Sequence, residues 1–213
     1  MLIIHHLGRS QSERIIWLCE ELDLPYRIQR YERDPVTVLA PPELRQVHPL
    51  GSAPVITDGD LVLAESGAIV DYIIARHGCG RLAHGAAHPD FAEYLYWFHY
   101  ANANLQPHMG RNMILNRLNL PADNPVLVAT RARLERALDW VDARLRVVDH
   151  LAGAQFTAAD IMSVFSLTTM RHFLPLDLSR HTHIRRYLAR IGERAAYRRA
   201  MHKADPDLTP LLT

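Results

Sequence analysis

Cysteine is scarce in this chain of 213 residues, which contains only Cys19 and Cys79. Secreted proteins more often carry a disulfide framework, so the scarcity favours a reduced, cytoplasmic protein. The chain also lacks a Cys-x-x-Cys pair, which argues against dithiol redox catalysis. Cys19 falls on the apolar stripe of a predicted helix and is interpreted as an inert core thiol. Cys79 stands between two glycines, and we expect it to be exposed.

Long hydrophobic runs and an excess of one charge are also missing. No segment approaches the roughly 18 apolar residues that suggest a membrane-spanning helix. The apolar start, residues 1–7, is too short for a signal peptide and has neither a basic leader nor a small-residue cleavage site. The 24 basic and 23 acidic residues leave a net charge of +1, which gives no electrostatic footprint for nucleic acid. We therefore expect neither a membrane nor a nucleic-acid partner.

The apolar fraction of 48% is ample for a buried core, and its periodicity changes along the chain. Up to residue 78, short apolar or alternating runs predict strands, and apolar residues at helical spacing predict helices. Ser10 and Glu13 have the spacing of a capping box for the first helix. The predicted order is strand 2–7, helix 12–22, strand 26–31, short helix 43–47, strands 54–57 and 61–64, and helix 66–77.

Residues 79–89 have no periodicity and are predicted to link this α/β domain, residues 1–78, to an all-helical domain, residues 90–213. A long helical pattern over 90–118 contains Pro107, which should kink it. Thr157 and Asp160 predict a capping box, with Phe156 and Ile161 as a hydrophobic staple. The remaining helices are predicted at 124–148, 183–191 and 195–202.

Two short segments of the first domain carry the strongest indication of function. Ala53-Pro54 is an X-Pro bond of the kind that can be cis. Glu65-Ser66 puts an acid and a hydroxyl at a helix N-terminus, where unpaired N–H groups and a partial positive charge favour a carboxylate. Together they predict a site for a peptide-like anion. The simpler interpretation is that Ser66 caps the helix and that Glu65 is a solvated acid favoured by the helix dipole.

These motifs occur in the same order in a known family. The Ser10 region, the segments 48–55 (HPLGSAPV) and 63–69 (LAESGAI), and residues 156–160 (FTAAD) together resemble the cytosolic glutathione S-transferases, in particular serine-type bacterial and fungal members. The resemblance covers essentially the whole chain. It implies a thioredoxin-like N-terminal domain of order βαβαββα that binds glutathione and an all-α domain that completes a pocket for an electrophile. It further implies a homodimer and a cytoplasmic detoxifying transferase that requires no metal.

By this resemblance Ser10 is the catalytic residue, with Ser12 as the fallback. A free thiol has a pKa of ~8.5, so lowering it by ~2 units requires roughly 2.7 kcal/mol of preferential stabilisation of the thiolate. One hydrogen bond to a charged group supplies about 1.5 to 3 kcal/mol, and a helix N-terminus adds roughly 0.3 to 2 kcal/mol. The alternative is that Ser10 merely caps the helix. His6 is a candidate general base or a structural histidine, and Arg14 is expected to be structural.

The resemblance also assigns the residues that hold the tripeptide. Ala53 should pair its backbone with the cysteinyl part, next to a cis bond to Pro54, while Glu65 and Ser66 bind the γ-glutamyl end. Many relatives carry a basic residue at the position of Ser52, which leaves the glycyl carboxylate without an obvious partner here. Arg9, Arg45 and His48 are the candidates to replace it. The predicted glutathione-binding residues are Ser52, Ala53, Pro54, Glu65, Ser66 and His48.

The electrophile pocket and the metal content are predicted from residue spacing. Residues at helical spacing on the kinked helix are candidates for the pocket, although the methionines also suit a plain core. His84 with His88, and His181 with His183, have pairing distance but no evident third ligand, so we predict no metal site. A binding or regulatory protein and a glutathione-dependent isomerase or dehalogenase are the alternatives to a transferase. The candidate pocket residues are His99, Asn102, Gln106, Met109 and Met113.

Overall fold

The computed structural model describes all 213 residues, which form two compact units. The first unit contains Met1–Ala83 and Gly192–Pro210, and the second contains His84–Ile191 and Leu211–Thr213. The boundary at residue 83 falls inside the predicted linker. Residues 192–210, however, pack with the α/β unit rather than with the helical domain to which the predicted boundaries assigned them. No helix is both long and apolar enough to cross a membrane.

The first unit is a four-stranded mixed sheet with helices, in the predicted order βαβαββα. The elements are β1 Leu2–Leu7, α1 Glu13–Glu21, β2 Arg27–Tyr31, α2 Glu43–Val47, β3 Val55–Asp58, β4 Leu61–Ala64 and α3 Ser66–Arg76. The strand order is β2-β1-β3-β4, in which only the β1 and β2 pair is parallel. A parallel pair needs a crossover helix and an antiparallel pair needs only a tight turn, which is why α1 joins β1 to β2 and the turn at Gly59 joins β3 to β4.

A last helix, α9 (Ala195–Ala204), completes the first unit by packing on α1. The Trp17 and Tyr197 rings meet edge to face, with their centroids 4.9 Å apart. Arg194 binds Glu21 through two bonds of 2.7 Å, and Glu20 accepts from Arg199 at 2.7 Å. Aromatic packing and ionic contacts therefore attach the C-terminal segment to α1.

The second unit is helical, with an isolated bridge between His150 and Gly153 as its sole β contact. Every residue of α7 is buried, so this helix forms the centre of the unit. The capping box of Thr157 and Asp160 at its start is present as predicted. The helices are α4 Phe91–Tyr100, α5 Gln106–Asn116, α6 Pro125–Leu145, α7 Ala158–Leu167 and α8 Thr182–Glu193, with a 3-10 turn at Thr169–His172.

The disruption predicted at Pro107 takes a particular form. A π-helical segment, Ala101–Leu105, separates α4 from α5, and Pro107 lies in the first turn of α5. A proline in a continuous α-helix would remove one hydrogen bond and clash with the preceding turn, and a wider turn accommodates both effects. The π segment adds a residue to the local repeat, so side chains on α4 and α5 do not follow one continuous α-helical stripe.

Candidate functional site

The predicted catalytic serine lies in a buried chain of hydrogen bonds at the start of α1. Ser10 Oγ is 2.7 Å from Ser12 Oγ, which is 2.8 Å from His6 Nδ1. Exposure falls along this chain, from 6% at Ser10 to 0% at Ser12 and His6. Ser10 is therefore its outermost member and the one nearest to solvent.

Neither hydroxyl caps α1, so the predicted capping box with Glu13 is wrong. The helix begins after Ser12 with no side-chain capping bond. Ser10 contributes its backbone carbonyl to the N–H of Glu13 at 3.1 Å, while its hydroxyl is directed to Ser12. The interpretation of Ser10 as a plain cap fails for the same reason. The two hydroxyls instead contact each other, and that of Ser12 also contacts His6.

Ser12 is nearly saturated, whereas Ser10 is not. Ser12 Oγ accepts from the Leu7 N–H at 3.3 Å in addition to its contacts with Ser10 and His6. Ser10 Oγ accepts from the Ser12 N–H at 3.3 Å and contacts the Ser12 hydroxyl. A hydroxyl has one proton and two lone pairs, so one position on Ser10 is left for a further partner. Ser10 therefore suits a ligand contact better than the fallback Ser12.

The X-Pro segment lies beside this chain of hydroxyls. The bond between Ala53 and Pro54 is cis, as predicted. Ala53 packs in a small buried cluster with Leu7 and Leu44, and Leu7 is the residue that donates to Ser12. Outside helices and strands, none of the backbone hydrogen bonds of the chain involves Ala53. Its N–H and C=O are therefore available to pair with an extended peptide.

The Glu65-Ser66 segment differs from the prediction in one respect. Ser66 does not cap α3, because the helix starts at Ser66 itself and Glu65 occupies the cap position without a side-chain bond. Glu65 has a φ of 70°, a left-handed conformation that non-glycine residues seldom adopt. Its side chain is exposed while Ser66 is buried. The acid and the hydroxyl thus lie next to the N–H groups at the start of an 11-residue helix, where a carboxylate is favoured.

Arg14 connects this helix start to α1. Its guanidinium donates to Ser66 Oγ at 3.3 Å and to Gln11 Oε1 at 2.8 Å. Burial lowers the pKa of Arg14 to about 9, against the opposing charge of Glu13, so the group is still protonated at neutral pH. We expected only a structural role for Arg14. The structure places its positive charge next to the Ser66 hydroxyl at the start of α3.

The part of the predicted site around Ser52, assigned to the glycyl carboxylate, has no basic side chain at position 52. Ser52 is exposed, and the nearby turn is closed by the Gly51 N–H, which donates to the His48 carbonyl at 2.9 Å. Gly51 has a φ of 57°, and a Cβ there would come within 2.5 Å of Arg45 Cγ. Glycine is therefore favoured at this position, and a larger residue would displace the Arg45 side chain. Arg45 packs against Gly51 and His48 accepts from its N–H, so both stay candidates for the basic group that Ser52 does not provide.

The candidate pocket residues differ in their burial. Met109 is fully buried, which supports its interpretation as a core residue. His99 is exposed, and Asn102, Gln106 and Met113 are half-buried. The π-helical segment at 101–105 interrupts the α-helical spacing on which the prediction relied. A pocket role for these five residues stays a prediction.

The two cysteines lie where the sequence predicted. Cys19 is buried on α1, and burial together with the nearby Glu20 charge raises the pKa of its thiol to about 12. A thiol with so high a pKa is neutral at physiological pH and unreactive. Cys79 is exposed.

The surroundings of the two histidine pairs were not evident from their spacing in the sequence. His84 and His88 do have a third group nearby, Asp90, which the sequence analysis missed. The two rings stack in parallel, with centroids 3.7 Å apart and planes within 2°, so their in-plane lone pairs do not converge on one ion. His181 and His183 each bind a different aspartate at 2.9 Å.

Sequence comparison identifies both units as parts of one family. The profile of the glutathione S-transferase N-terminal domain matches residues 9–76, and that of the C-terminal domain matches residues 99–195. The first contains Ser10, the X-Pro segment and Glu65-Ser66, which are the residues that the structure groups around α1. The chain belongs to the glutathione S-transferase family.

Individual relatives agree with this assignment. A protein named glutathione S-transferase 3 from Schizosaccharomyces pombe is 28% identical over 229 residues, which span 100% of this chain and 92% of that protein. The crystal structure of a glutathione S-transferase from Actinobacillus pleuropneumoniae is 30% identical, with a TM-score of 0.87 over 96% of this chain and 93% of that one. A Pseudomonas fluorescens family member, crystallised with two glutathione molecules bound, is 22% identical, with a TM-score of 0.78 over 94% of this chain and 92% of that one.

Proposed function

We propose that this protein is a glutathione transferase that joins the thiolate of glutathione to a small electrophilic, hydrophobic compound. The observation that carries the proposal is the grouping around α1 of a hydroxyl with an open position, a peptide-pairing segment and a helix N-terminus backed by Arg14. These three elements match three groups of glutathione, namely the thiol, the cysteinyl backbone and the γ-glutamyl carboxylate. The glutathione bound to the Pseudomonas fluorescens relative supports the same ligand.

In this proposal each part of the site has a separate task. The Ser66 hydroxyl and the first N–H groups of α3 hold the γ-glutamyl carboxylate, with Arg14 behind them, and Glu65 takes the ammonium group. Ala53 pairs with the cysteinyl backbone, and this fixes the thiol relative to Ser10. Ser10 then stabilises the thiolate, which is the nucleophilic form. At the glycyl end, Ser52 and His48 complete the predicted contacts.

The electrophile, a peroxidase side activity, the homodimer and a cytoplasmic, detoxifying role belong to the same proposal. They depend on the family resemblance, because the five candidate pocket residues do not define a substrate. We propose that no metal takes part, since a hydroxyl and a helix N-terminus suffice to stabilise a thiolate.

Glutathione titration tests this proposal directly. We expect binding in the range up to millimolar, with thiolate absorbance appearing at neutral pH. In Ser10→Ala the ratio of thiolate to thiol should fall by roughly 10- to 100-fold, since one hydrogen bond to a charged group contributes about 1.5 to 3 kcal/mol. Ser163→Ala, which removes a buried hydroxyl from α7 in the other unit, is the matched control and should leave the titration unchanged.

The result also separates the transferase from the alternatives. Absence of glutathione binding would contradict the enzyme hypothesis. Binding with an unshifted thiol would favour a non-catalytic binding or regulatory protein, which the exposed serine at position 52 keeps as the second candidate. Conjugation assays against isomerase and dehalogenase substrates would then distinguish the glutathione-dependent reactions.

A further inference from the structure

The chain of hydrogen bonds that runs from Ser10 through Ser12 to His6 continues beyond His6. The other ring nitrogen of His6, Nε2, lies 3.5 Å from Asp205 Oδ2. This distance is longer than a good hydrogen bond, and the contact becomes an ion pair only when the ring is protonated. No other hydrogen-bond partner reaches Nε2, and the ring is fully buried. The line Ser10, Ser12, His6, Asp205 therefore runs from a nearly buried hydroxyl to a carboxylate.

The donors and acceptors in this line have one consistent order. With Nε2–H directed at Asp205, the neutral ring has an acceptor at Nδ1, and Ser12 donates to it. Ser12 Oγ then accepts from Ser10 and from the Leu7 N–H, which satisfies both of its lone pairs. Ser10 Oγ accepts from the Ser12 N–H and keeps one lone pair free. In this state Ser10 is an acceptor toward a ligand, not a donor.

We propose that His6 takes up the proton that leaves a thiol bound at Ser10, and that Asp205 stabilises the resulting imidazolium. The thiol S–H bond breaks as its proton passes to Ser10 Oγ. Ser10 gives its own proton to Ser12, and Ser12 gives its proton to His6 Nδ1. Every hydroxyl ends with one proton, now directed outward, so that Ser10 donates to the thiolate. The only net change is one proton moved from sulfur to His6.

The charges around His6 allow this uptake. Asp205 Oδ2 accepts a hydrogen bond from the Arg9 N–H at 2.8 Å, and Oδ1 accepts one from Arg30 at 3.0 Å. The positive charge of Arg33 also attracts Asp205, from a greater distance. Burial opposes ionisation of Asp205, but His6, the Arg9 N–H and Arg30 outweigh it and hold the pKa of this carboxyl below its usual range. Asp205 is thus an anion at neutral pH. It faces His6 from the C-terminus of α9, while Arg30 lies opposite His6 on β2.

The inference rests on the proposed function, because it needs a thiol at Ser10. Without uptake, thiolate formation at neutral pH releases one proton to solvent. With uptake, the proton stays on His6 and nothing is released. Ser12, His6 and Asp205 act through Ser10 and are positioning residues in this scheme, so the test must measure protons as well as turnover.

Isothermal titration calorimetry with glutathione, in two buffers of different ionisation enthalpy at pH 7, measures this proton exchange. S-methylglutathione, which has no thiol proton, provides the baseline for all other groups. Thiolate absorbance in the same samples gives the amount of thiolate formed. For the wild type we expect thiolate without net proton release above the baseline. Release of one proton per thiolate would overturn the proposal.

Variants assign the proton to the named residues. His6→Asn should either release one proton per thiolate or lose the thiolate signal, whereas His5→Asn, which alters the neighbouring histidine bound to Tyr31 at 2.9 Å, should behave as the wild type. Asp205→Asn keeps the size of the side chain and should give partial release if His6→Asn does not fold. Unchanged proton uptake in Asp205→Asn would overturn the role of Asp205.

The two proposals can fail separately. If neither glutathione nor S-methylglutathione binds, the proposed function fails and the relay fails with it. If both bind and thiolate forms with full proton release, the transferase site stands and only the relay is wrong. Binding of both without thiolate also overturns the relay.

Discussion

The two buried polar networks of the chain are built from similar groups but are completed differently. In the second unit, Asp160 Oδ1 accepts from the Leu151 N–H and the Tyr187 hydroxyl, both at 2.9 Å. Its Oδ2 accepts from the Thr157 N–H at 2.9 Å and from the Thr157 hydroxyl at 3.4 Å. All four acceptor positions of this carboxylate are used. The network is closed and has nothing left for a ligand.

The network of the first unit is a linear chain of hydrogen bonds, and the Ser10 hydroxyl at its end has one hydrogen-bonding position without a partner. Its side chains are linked one to the next from Ser10 to Asp205, and Ser10 is at 6% exposure, compared with 0% for Asp160. A fully satisfied buried network makes one arrangement rigid, whereas a partly satisfied one is costly unless a partner completes it. Hydrogen-bond saturation, more than residue type, therefore distinguishes the structural network from the candidate site.

The largest expected effect comes from removing the carboxylate of each network. Asp160→Ala should lower the free energy of unfolding by about 3 to 5 kcal/mol, because it leaves buried donors without an acceptor. Asp205→Ala should cost less, about 1 to 2 kcal/mol, because Arg30 is partly exposed and can turn to solvent, which leaves only the His6 and Arg9 N–H groups without their acceptor. Urea denaturation of both variants measures the difference. Equal losses would contradict the distinction between a closed and an open network.

A smaller effect concerns the helix that brings Asp205 to its place. Glu20 on α1 is bound by Lys203 and Arg199 of α9 and by the Tyr26 hydroxyl. Burial alone would raise the pKa of Glu20, but these bonds outweigh it and lower the pKa to about 2. A carboxyl whose pKa is lower in the folded state stabilises the fold above its unfolded pKa of ~4.3 and loses that contribution as the pH falls toward 2.

We therefore expect the first unit to lose about 1 to 2 kcal/mol between roughly pH 4.5 and 2, a value reduced because Arg199 and Lys203 are half-exposed. Glu20→Gln should flatten this dependence and leave the Asp160 network unaffected. Urea denaturation at a series of pH values, followed by tryptophan fluorescence, to which Trp17 beside Tyr197 contributes, provides the measurement. Asp60→Asn, in the exposed turn between β3 and β4, is the control. An unchanged pH profile in Glu20→Gln would refute the ionic attachment of α9.

The smallest expected effect is that of a single capping hydroxyl. Thr157→Val preserves the side-chain shape but removes the hydroxyl that accepts from the Ala159 N–H at 3.3 Å and donates to Asp160 Oδ2 at 3.4 Å. The loss should be about 1 kcal/mol, the usual contribution of an N-cap. Ser12→Ala should cost a similar amount of stability but should also change the glutathione titration. A titration unchanged by Ser12→Ala would show that the open network is structural as well.

Local patterns predicted most of the fold. The short helix Glu43–Val47 and the strand Leu61–Ala64 were predicted to the residue, because turn residues and apolar spacing mark their ends. The Thr157 box was predicted because its donors and acceptors lie within three residues of each other. The cap at Ser10 was wrong because its hydroxyl is directed to Ser12, which in turn contacts His6 at the end of the preceding strand. The cap at Ser66 was wrong because the helix starts at Ser66 itself, and its hydroxyl accepts from Arg14, 52 positions away.

The sequence by itself determined the order of elements, the family and the positions of Ser10, Ala53-Pro54 and Glu65-Ser66, since these depend on periodicity and on motifs of a few residues. Only the tertiary structure decided that Arg14 lies behind Ser66 and that Asp205 faces His6, 199 positions away along the chain. It also decided that residues 192–210 pack with the α/β unit. The physical reason is that burial and hydrogen bonding between distant segments arise when helix packs on helix, and no local pattern in the chain encodes which side chains then meet.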